Sequence, residues 1–248
     1  MRCVAIFFTG FLLGLGSWNL FGLSPEQIFD DAYLLGGNQN VILRVVLHIQ
    51  TPRGAKEREL ELFLHRSENE SKVLAQVVSP SFLRSMKFLQ IALADGNEIT
   101  YLKTSRGVRR LSEANREERL FDSDFTVSDL SYTSSTDYQL QAGGQDVVGD
   151  RLCHLLRGVP VAVMGSVDRN IFYVDASDGI LRRVDYLDSQ DQMVKQYLLL
   201  ETQSVNGHIY PRVCVMEDFA QTTRTRLTVA EIDVVDSIPA RIFSRGNL

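Results

Sequence analysis

From position 41 onward, apolar and polar residues alternate along the sequence with a period of two, which places the apolar residues on one face of a β-strand. The first such run carries Val41, Leu43, Val45, Leu47 and Ile49 on one side. The same pattern predicts further strands at residues 59–65, 73–78, 86–94, 98–103, 107–111, 137–142, 151–157, 170–175, 181–187, 194–202, 209–216 and 224–235. The chain is therefore predicted to be mainly β.

Turn-forming residues separate most of these runs, and short turns join strands that run antiparallel. The strongest signal is Asn206-Gly207, a pair typical of two-residue hairpins. Thr51-Pro52-Arg53-Gly54 and Asp178-Gly179 mark two other turns. No internal repeat or low-complexity linker interrupts the series, so we expect one long antiparallel meander in a single domain.

One helix is well signalled past the N-terminal region. Ser24, Pro25 and Gln27 combine an N-cap, a proline in the first turn and a capping box. The helix is predicted over residues 25–35 and ends at Gly36-Gly37. So little helix cannot cover a dozen strands. The predicted fold is a single antiparallel, half-open β-barrel, with the N-terminal helix and a short helical lid over its open side.

The N-terminus has the features of a secretory signal peptide. A single Arg2 precedes an apolar run, residues 4–15, which small residues follow. The run is shorter than the ~20 residues that cross a bilayer. Residues 1–22 are therefore interpreted as a signal peptide and residues 23–248 as the exported domain. Cys3 precedes the apolar run, so no cysteine is placed to carry a lipid anchor, and we expect a periplasmic protein.

The charge pattern bears on possible partners. The chain has 248 residues and a formal net charge of −5, and its Lys and Arg residues are scattered. This pattern argues against a nucleic-acid partner. We expect a monomer without a cofactor or a bound metal. Cys153 and Cys214 lie within predicted strands, and the sequence leaves open whether they form a disulfide or remain buried free thiols.

The stretch of residues 80–130 carries a family resemblance. It contains Tyr101-Leu102, the basic Arg109-Arg110-Leu111, and a corner with Ser123, Asp124 and Phe125 that leads to Asp129-Leu130. This order is similar to that of the outer membrane lipoprotein-sorting proteins, the LolA-like periplasmic carriers and their uncharacterised relatives. The resemblance extends to a Phe-x-x-x-x-Leu tail at residues 243–248.

The resemblance implies an apolar cavity inside the half-barrel that carries a lipid or the acyl chains of a lipoprotein. Each buried CH₂ stabilises such a complex by about 0.8 kcal/mol without a specific polar contact. The candidate cavity residues are Phe29 and Leu34 on the lid and Val45, Leu47, Leu60, Leu62, Leu64, Leu89, Ile91 and Leu93 on the wall. Arg106, Arg109 and Arg110 are candidates for contact with membrane sorting components or an anionic headgroup, or form a solvated strand face.

Other interpretations of the sequence remain open. The acidic corner does not match a calcium loop, so we expect Asp124 to cap a short helix from Thr126, or Asp122 to pair with Arg116 or Arg119. A lipid esterase is less favoured, because the four histidines, His48, His65, His154 and His208, accompany no G-x-S-x-G motif. An envelope structural or sensory module could instead bind a protein segment at a sheet edge, and Pro211 indicates an edge or a bulge.

Overall fold

The computed structural model describes residues 22–33, 39–67, 69–93, 95–131, 133–162 and 165–248. Residues 1–21 of the predicted signal peptide and the lid residue Leu34 lie outside this part. The helices are α1 (Pro25–Tyr33) and α2 (Val127–Leu130). The strands are β1 (Asn40–Thr51), β2 (Gly54–Arg66), β3 (Glu70–Ser79), β4 (Lys87–Leu93), β5 (Glu98–Thr104), β6 (Gly107–Leu111), β7 (Tyr138–Val148), β8 (Arg151–Pro160), β9 (Arg169–Asp175), β10 (Leu181–Leu187), β11 (Met193–Val205), β12 (His208–Asp218) and β13 (Thr223–Val235).

All the strands form one antiparallel sheet in the order β6-β5-β4-β3-β2-β1-β13-β12-β11-β10-β9-β8-β7. The sheet curls but does not close, so β6 and β7 are its two edges. This confirms the predicted half-open barrel. Because β6 and β7 are consecutive in the chain, residues 112–137 must pass from one edge to the other. We call residues 112–137 the crossing segment, and it includes α2.

The crossing segment packs into the curve of the sheet, and the sheet face that it contacts is called the inner face. Leu120, Phe121 and Val127 of this segment are almost fully buried against β1–β5. They share one apolar cluster with Leu47 and Leu60, which are 2% and 3% exposed. The crossing segment therefore acts as a plug that fills part of the half-barrel.

A buried carboxylate fixes the crossing segment to the sheet. Asp124 accepts hydrogen bonds from the side chains of Arg119, Thr223 and Thr225, the last at 2.5 Å from Oγ1 to Oδ2. The Asp124 amide donates to Thr225 Oγ1 at 2.9 Å. The Asp124 side chain is fully buried. The Ser-Asp-Phe corner is thus a structural anchor on β13.

The local prediction for this corner needs correction. The N-cap of α2 is Thr126, in a capping box with Asp129, whereas Asp124 pairs with Arg119. Asp122 has a φ of 61°, which favours glycine or a short polar residue. Its exposed carboxylate lies 3.1 Å from Arg58 Nη2 and also faces Lys56, rather than Arg116 or Arg119. The corner reverses the chain, so Asp122 and Asp124 point to different partners.

Two other local predictions can be compared with the structure. The α1 capping box is confirmed, since Ser24 N donates to Gln27 Oε1 at 2.9 Å and Gln27 N donates to Ser24 Oγ at 3.3 Å. The helix is described over Pro25–Tyr33, and its predicted end at residues 34–37 lies outside the described residues. Pro211 lies at a bulge, because the register between β11 and β12 shifts beside Thr202. The proline is therefore accommodated inside a central strand.

Candidate functional site

An open cavity lies between the inner face of the sheet and the crossing segment. Its volume is about 370 Å³, within the roughly 300–1,000 Å³ typical of small-molecule sites. Ten of the lining residues are aliphatic, and the lining comes from β1–β3, β11–β13, the crossing segment and Gln39 just before β1. We call this space the main cavity. Its apolar lining residues are Val41, Leu43, Val45, Leu62, Leu64, Val73, Leu130, Leu227, Val229 and Ile232, with Tyr197, Tyr210, Pro211 and Cys214 beside them.

Three of the predicted wall residues line the main cavity, namely Val45, Leu62 and Leu64. Leu47 and Leu60 lie on the same face but are covered by the crossing segment. The burial differs accordingly, because Leu62 and Leu64 are only partly buried while Leu47 and Leu60 are almost inaccessible. The plug therefore divides one aliphatic face into a packed half and an open half.

The three candidates on β4 are placed on the wrong face by the sequence prediction. Leu89 and Ile91 pack on the outer face, in a cluster with Leu74 and with Phe243 of the C-terminal tail. Their neighbour Phe88 belongs to the inner cluster instead. Leu93 has the same parity as Leu89 and is 42% exposed. The C-terminal tail covers the outer face here, so β4 has buried residues on both sides.

A second, smaller cavity of about 220 Å³ adjoins the main cavity. It lies over β9–β11, and Ala32 of α1 is among its lining residues. The predicted lid residue Phe29 packs edge-on against Phe172, at 4.9 Å between ring centroids, and also against Tyr138. Both of these aromatic residues line the second cavity. Phe29 therefore supports that cavity from beneath α1, away from the main cavity.

Residues of the crossing segment are held over the two cavities by a buried ion pair. Lys195 Nζ on β11 lies 2.6 Å from Asp129 Oδ2, and both side chains are at most 10% exposed. Tyr186 donates a hydrogen bond to Asp129 Oδ1 at 3.0 Å. Glu117 lies in the same region, and burial raises the pKa of its carboxyl. The ion pair joins the crossing segment to β11, in the half of the sheet formed by β7–β13.

The charged residues that line the main cavity, among those described, lie where β2 ends and β3 begins. Arg66 and Ser71 are directly paired across these strands, and His65 and Lys72 are next to them. Lys72 Nζ lies 2.5 Å from Glu70 Oε1, and His65 Nε2 lies 3.2 Å from the same oxygen. Across the sheet, Tyr210 on β12 donates a hydrogen bond to Oε1 of Gln39, which precedes β1. The charged residues of the described lining are therefore grouped at one end of the main cavity.

The other predicted contact residues lie away from this cavity. Arg106 is exposed at the turn between β5 and β6, and Arg109 forms an ion pair with Glu118. Arg110 borders a shallow polar depression beside Glu98 and Thr100. The three arginines therefore belong to the β6 edge of the sheet, and contact with a partner there remains a prediction.

Cys153 and Cys214, the cysteines in the described part of the chain, are free thiols. Cys153 is on β8 and Cys214 is on β12, so three strands lie between them. Cys214 faces the main cavity. Cys153 is paired across β8 and β9 with Asp175, whose neighbour Val174 points to the inner face. Asp175 and Cys153 therefore both face outward. Of the two alternatives left open by the sequence, the structure has buried thiols. Burial raises the pKa of Cys153 to about 11 and that of Cys214 to about 12.

Sequence reasoning missed the part of the main cavity contributed by the C-terminal strands. Leu227, Val229 and Ile232 of β13 lie opposite Leu47, Val45 and Leu43 of β1. The alternation in residues 224–235 identified the strand but could not show that the last strand pairs with the first. That pairing joins the two halves of the sheet and creates the continuous inner face.

The chain matches, over residues 69–248, the sequence model of a protein family described only as an uncharacterized protein. No curated protein shows significant sequence similarity to it. No helix in the described ranges is both long and apolar enough to span a membrane.

Three solved structures share the fold at low sequence identity. A domain assigned as an outer membrane lipoprotein-sorting protein from Vibrio parahaemolyticus has a TM-score of 0.80 and 14% identity, over 88% of this chain and 94% of that domain. A DUF1329 family protein from Desulfovibrio piger has a TM-score of 0.80 and 15% identity, over 91% of this chain and 100% of that protein. A LolA superfamily protein from Nitrosomonas europaea has a TM-score of 0.72 and 14% identity, with the same coverage of 91% and 100%.

Proposed function

We propose a function from one premise: this chain belongs to a LolA-like family of uncharacterized proteins related to the outer membrane lipoprotein-sorting proteins. The protein is an exported, periplasmic carrier or binding protein. It holds the acyl chains of a lipid or lipoprotein in its main cavity. Residues 1–22 serve as its signal peptide, and inner and outer membrane sorting components are its exchange partners.

The contrast in burial along one aliphatic face carries this proposal. Leu60 is 3% exposed beneath the crossing segment, while Leu62 and Leu64 on the same strand face the main cavity and are only partly buried. A row of partly exposed aliphatic side chains costs the folded protein about 25 cal/mol of stability for each Å² of apolar surface that stays in contact with water. An acyl chain that fills the cavity removes that surface from water.

The composition of the main cavity favours binding over catalysis. An acyl chain needs apolar contact along its length and no particular polar partner, and ten aliphatic residues supply that contact. His65 borders the cavity, but its ring nitrogens face Asn40 and Glu70. His48 pairs with Glu57 at 2.9 Å on the surface. These contacts support a structural role for both histidines, each held by a neighbouring polar side chain.

Titration with a fluorescent fatty acid tests the proposal. Leu62→Trp places an indole in the main cavity, and we expect it to lower the affinity at least tenfold, which is about 1.4 kcal/mol. Leu93→Trp is the matched control, because Leu93 is 42% exposed and lies on the outer face. Equal affinities for the two variants would contradict binding in the main cavity.

A protein-interaction module of the envelope is the second candidate, and the edge strand β7 favours it. β7 has 11 residues, most of them exposed, and among the described residues it pairs only with β8. An exposed edge of this kind can accept an added strand from a partner. Such binding would be insensitive to Leu62→Trp, so the same variant distinguishes the two candidates.

A further inference from the structure

The outer face of the sheet carries a cluster of cations at the end formed by β4–β6. Lys103 on β5 lies directly opposite Lys87 on β4, and Arg110 on β6 lies directly opposite Tyr101 on β5. The guanidinium carbon of Arg245, in the C-terminal tail, lies 5.6 Å from the centre of the Tyr101 ring. Tyr101 packs in the outer cluster beneath the tail, and alternate residues of a strand share one face, so all four cations are on the outer face. We call this surface the basic face.

The charges of the basic face are not balanced by carboxylate side chains. No aspartate or glutamate occurs among the outward-facing residues of β4–β6, at positions 87, 89, 91, 93, 99, 101, 103, 108 and 110, or in the tail at residues 238–248. Glu98 faces the inner side, where it pairs with Arg116 of the crossing segment. The terminal carboxylate of Leu248, which packs in the outer cluster, offsets at most one of the four charges.

The cations of the basic face therefore repel one another. None of the four forms an ion pair with a described side chain. Like charges that lie directly opposite on neighbouring strands are destabilising, as Lys87 and Lys103 are here. Burial lowers the pKa of Lys87, and repulsion from Lys103 lowers it further. An anionic partner on this face would relieve that repulsion.

Exposed aliphatic side chains lie on the same face as the cations. Leu93, Ile99 and Val108 are outward-facing residues of β4, β5 and β6, and each is between 38% and 42% exposed. Cations beside a bilayer are attracted to anionic headgroups, and aliphatic side chains leave water at the boundary between headgroups and acyl chains. The basic face combines both kinds of side chain.

The distribution of these residues favours a surface over a single added strand. The four cations come from three neighbouring strands and the tail, so they spread across the sheet rather than along its edge. An acidic strand paired with β6 would lie beside Arg110 alone, because the neighbouring Arg109 faces inward and pairs with Glu118. A bilayer surface can contact the whole basic face.

We propose that the basic face docks on a bilayer surface that contains anionic phospholipids, with Lys103, Arg110 and Arg245 among the headgroups and Ile99 and Val108 at the boundary with the acyl chains. The inference goes beyond the proposed function and does not depend on a ligand in the main cavity. The residues of the basic face do not line that cavity, which is on the inner face. A docked protein therefore keeps the lining of the main cavity free of the membrane contact.

Co-sedimentation with vesicles tests the proposal on residues 23–248, which leave out the apolar run at residues 4–15. The vesicles contain either phosphatidylcholine alone or equal amounts of phosphatidylcholine and phosphatidylglycerol. We expect the mixed vesicles to bind the protein about tenfold more tightly, and salt to weaken this binding by screening. Replacement of both Lys103→Gln and Arg110→Gln should lower the affinity for mixed vesicles about tenfold.

The double change of Arg224→Gln and Arg226→Gln is the matched control. It removes the same charge from the outer face of β13, where Arg224 lies opposite Glu217 and Arg226 lies 3.9 Å from Glu201. The control should bind both kinds of vesicle as the wild type does. Urea unfolding checks that both double variants are folded, and we expect Lys103→Gln to be tolerated because it removes the repulsion with Lys87.

Three results would overturn the inference. These are equal binding of the wild type to both kinds of vesicle, an equal loss of binding in the two double variants, and failure of the wild type to bind mixed vesicles. The last result would favour an acidic protein as the partner of the basic face. All three leave the carrier function intact, because titration with a fluorescent fatty acid tests that function without vesicles.

Discussion

Lys195 Nζ on β11 lies 2.6 Å from Asp129 Oδ2 in the crossing segment, and both side chains are almost completely buried. Asp129 also accepts hydrogen bonds from Thr126 and Tyr186. The ion pair joins the crossing segment to β11, in the half of the sheet that β7–β13 form. The ion pair therefore holds the crossing segment in place over the two cavities.

Replacement of Lys195 by Met should destabilise the protein strongly. The change leaves the Asp129 carboxylate buried without its cation, which typically costs about 3–5 kcal/mol in the free energy of unfolding. Lys56→Met is the control, because Lys56 is 47% exposed and lies 3.6 Å from Asp122. That surface pair should contribute about 1 kcal/mol or less. Urea unfolding of the two variants measures the difference, and equal losses would contradict a buried role for Lys195.

Asp124 and Asp122 provide a second matched comparison within one corner. Asp124→Asn removes a buried charge that accepts bonds from Arg119, Thr223 and Thr225, and we expect a loss of about 3–5 kcal/mol. Asp122→Asn affects an exposed carboxylate and keeps a residue that tolerates a positive φ, so the loss should be about 1 kcal/mol or less. A larger effect at Asp122 than at Asp124 in urea unfolding would show that the corner is anchored differently.

Glu117 should make the stability of the protein depend on pH. Burial raises the pKa of its carboxyl above the ordinary value of 4.5 in the folded state. The free energy of unfolding that Glu117 contributes therefore rises as the pH falls through its folded-state pKa, and reaches its full value below 4.5. Glu117→Gln removes the buried charge and can retain the bond from Ser128 Oγ.

We expect the Glu117→Gln variant to be more stable than the wild type at neutral pH, and the difference to shrink at mildly acidic pH. Urea unfolding at the two pH values measures this. A variant that is less stable than the wild type at neutral pH would show that the charge of Glu117 is favourable in the folded protein.

The two cysteines should be unreactive until the protein unfolds. Raised pKa values of about 11 for Cys153 and about 12 for Cys214 keep both thiols protonated at neutral pH. A thiol reagent should therefore modify both residues in urea and neither residue in the native protein over the same time. Intact mass without reductant provides the second measurement. A mass that corresponds to an intramolecular disulfide would contradict the placement of the two residues on opposite faces.

The C-terminal tail should contribute substantially to stability. Phe243 is 5% exposed and packs against Leu74 and Leu89 on the outer face. Phe243→Ala should cost about 3–5 kcal/mol, the range for a buried phenylalanine. Phe82→Ala is the control, since Phe82 is 78% exposed and its loss should change the free energy of unfolding by about 0.5 kcal/mol or less. Similar unfolding midpoints for the two variants would indicate that the tail does not belong to the cooperative fold.

The strands of this fold could be predicted from sequence because period-two alternation is local. β6 (Gly107–Leu111) and β10 (Leu181–Leu187) have the predicted bounds, and consecutive strands are antiparallel neighbours within β1–β6 and within β7–β13. The expected single meander is wrong at one point, because β6 and β7 are opposite edges and β1 pairs with β13. The inward face of β4 could not be predicted. Phe88 and Leu89 are adjacent, apolar and fully buried on opposite faces, because the tail that contains Phe243 covers the outer one. Alternation fails where both faces of a strand are covered.

The extent of the candidate cavity could not be predicted from the sequence either. Leu60 and Leu62 are equivalent in the sequence pattern, yet the crossing segment buries the first and leaves the second partly exposed. The difference in burial depends on which part of the sheet Leu120 and Val127 contact. That position depends on the contacts of Asp124 with Thr223 and Thr225, about a hundred residues away. The resemblance identified the corner residues, and the structure assigns them the role of an anchor.

Native mass spectrometry of residues 23–248, produced in a bacterial periplasm, purified without detergent and followed by organic extraction, tests the proposed carrier function most directly. We expect the wild type and Leu93→Trp to carry a fatty acid, a phospholipid or an acylated peptide, and Leu62→Trp to have lost it. A wild-type protein that is empty, and that also fails to take up added fatty acid, would contradict acyl-chain binding in the main cavity.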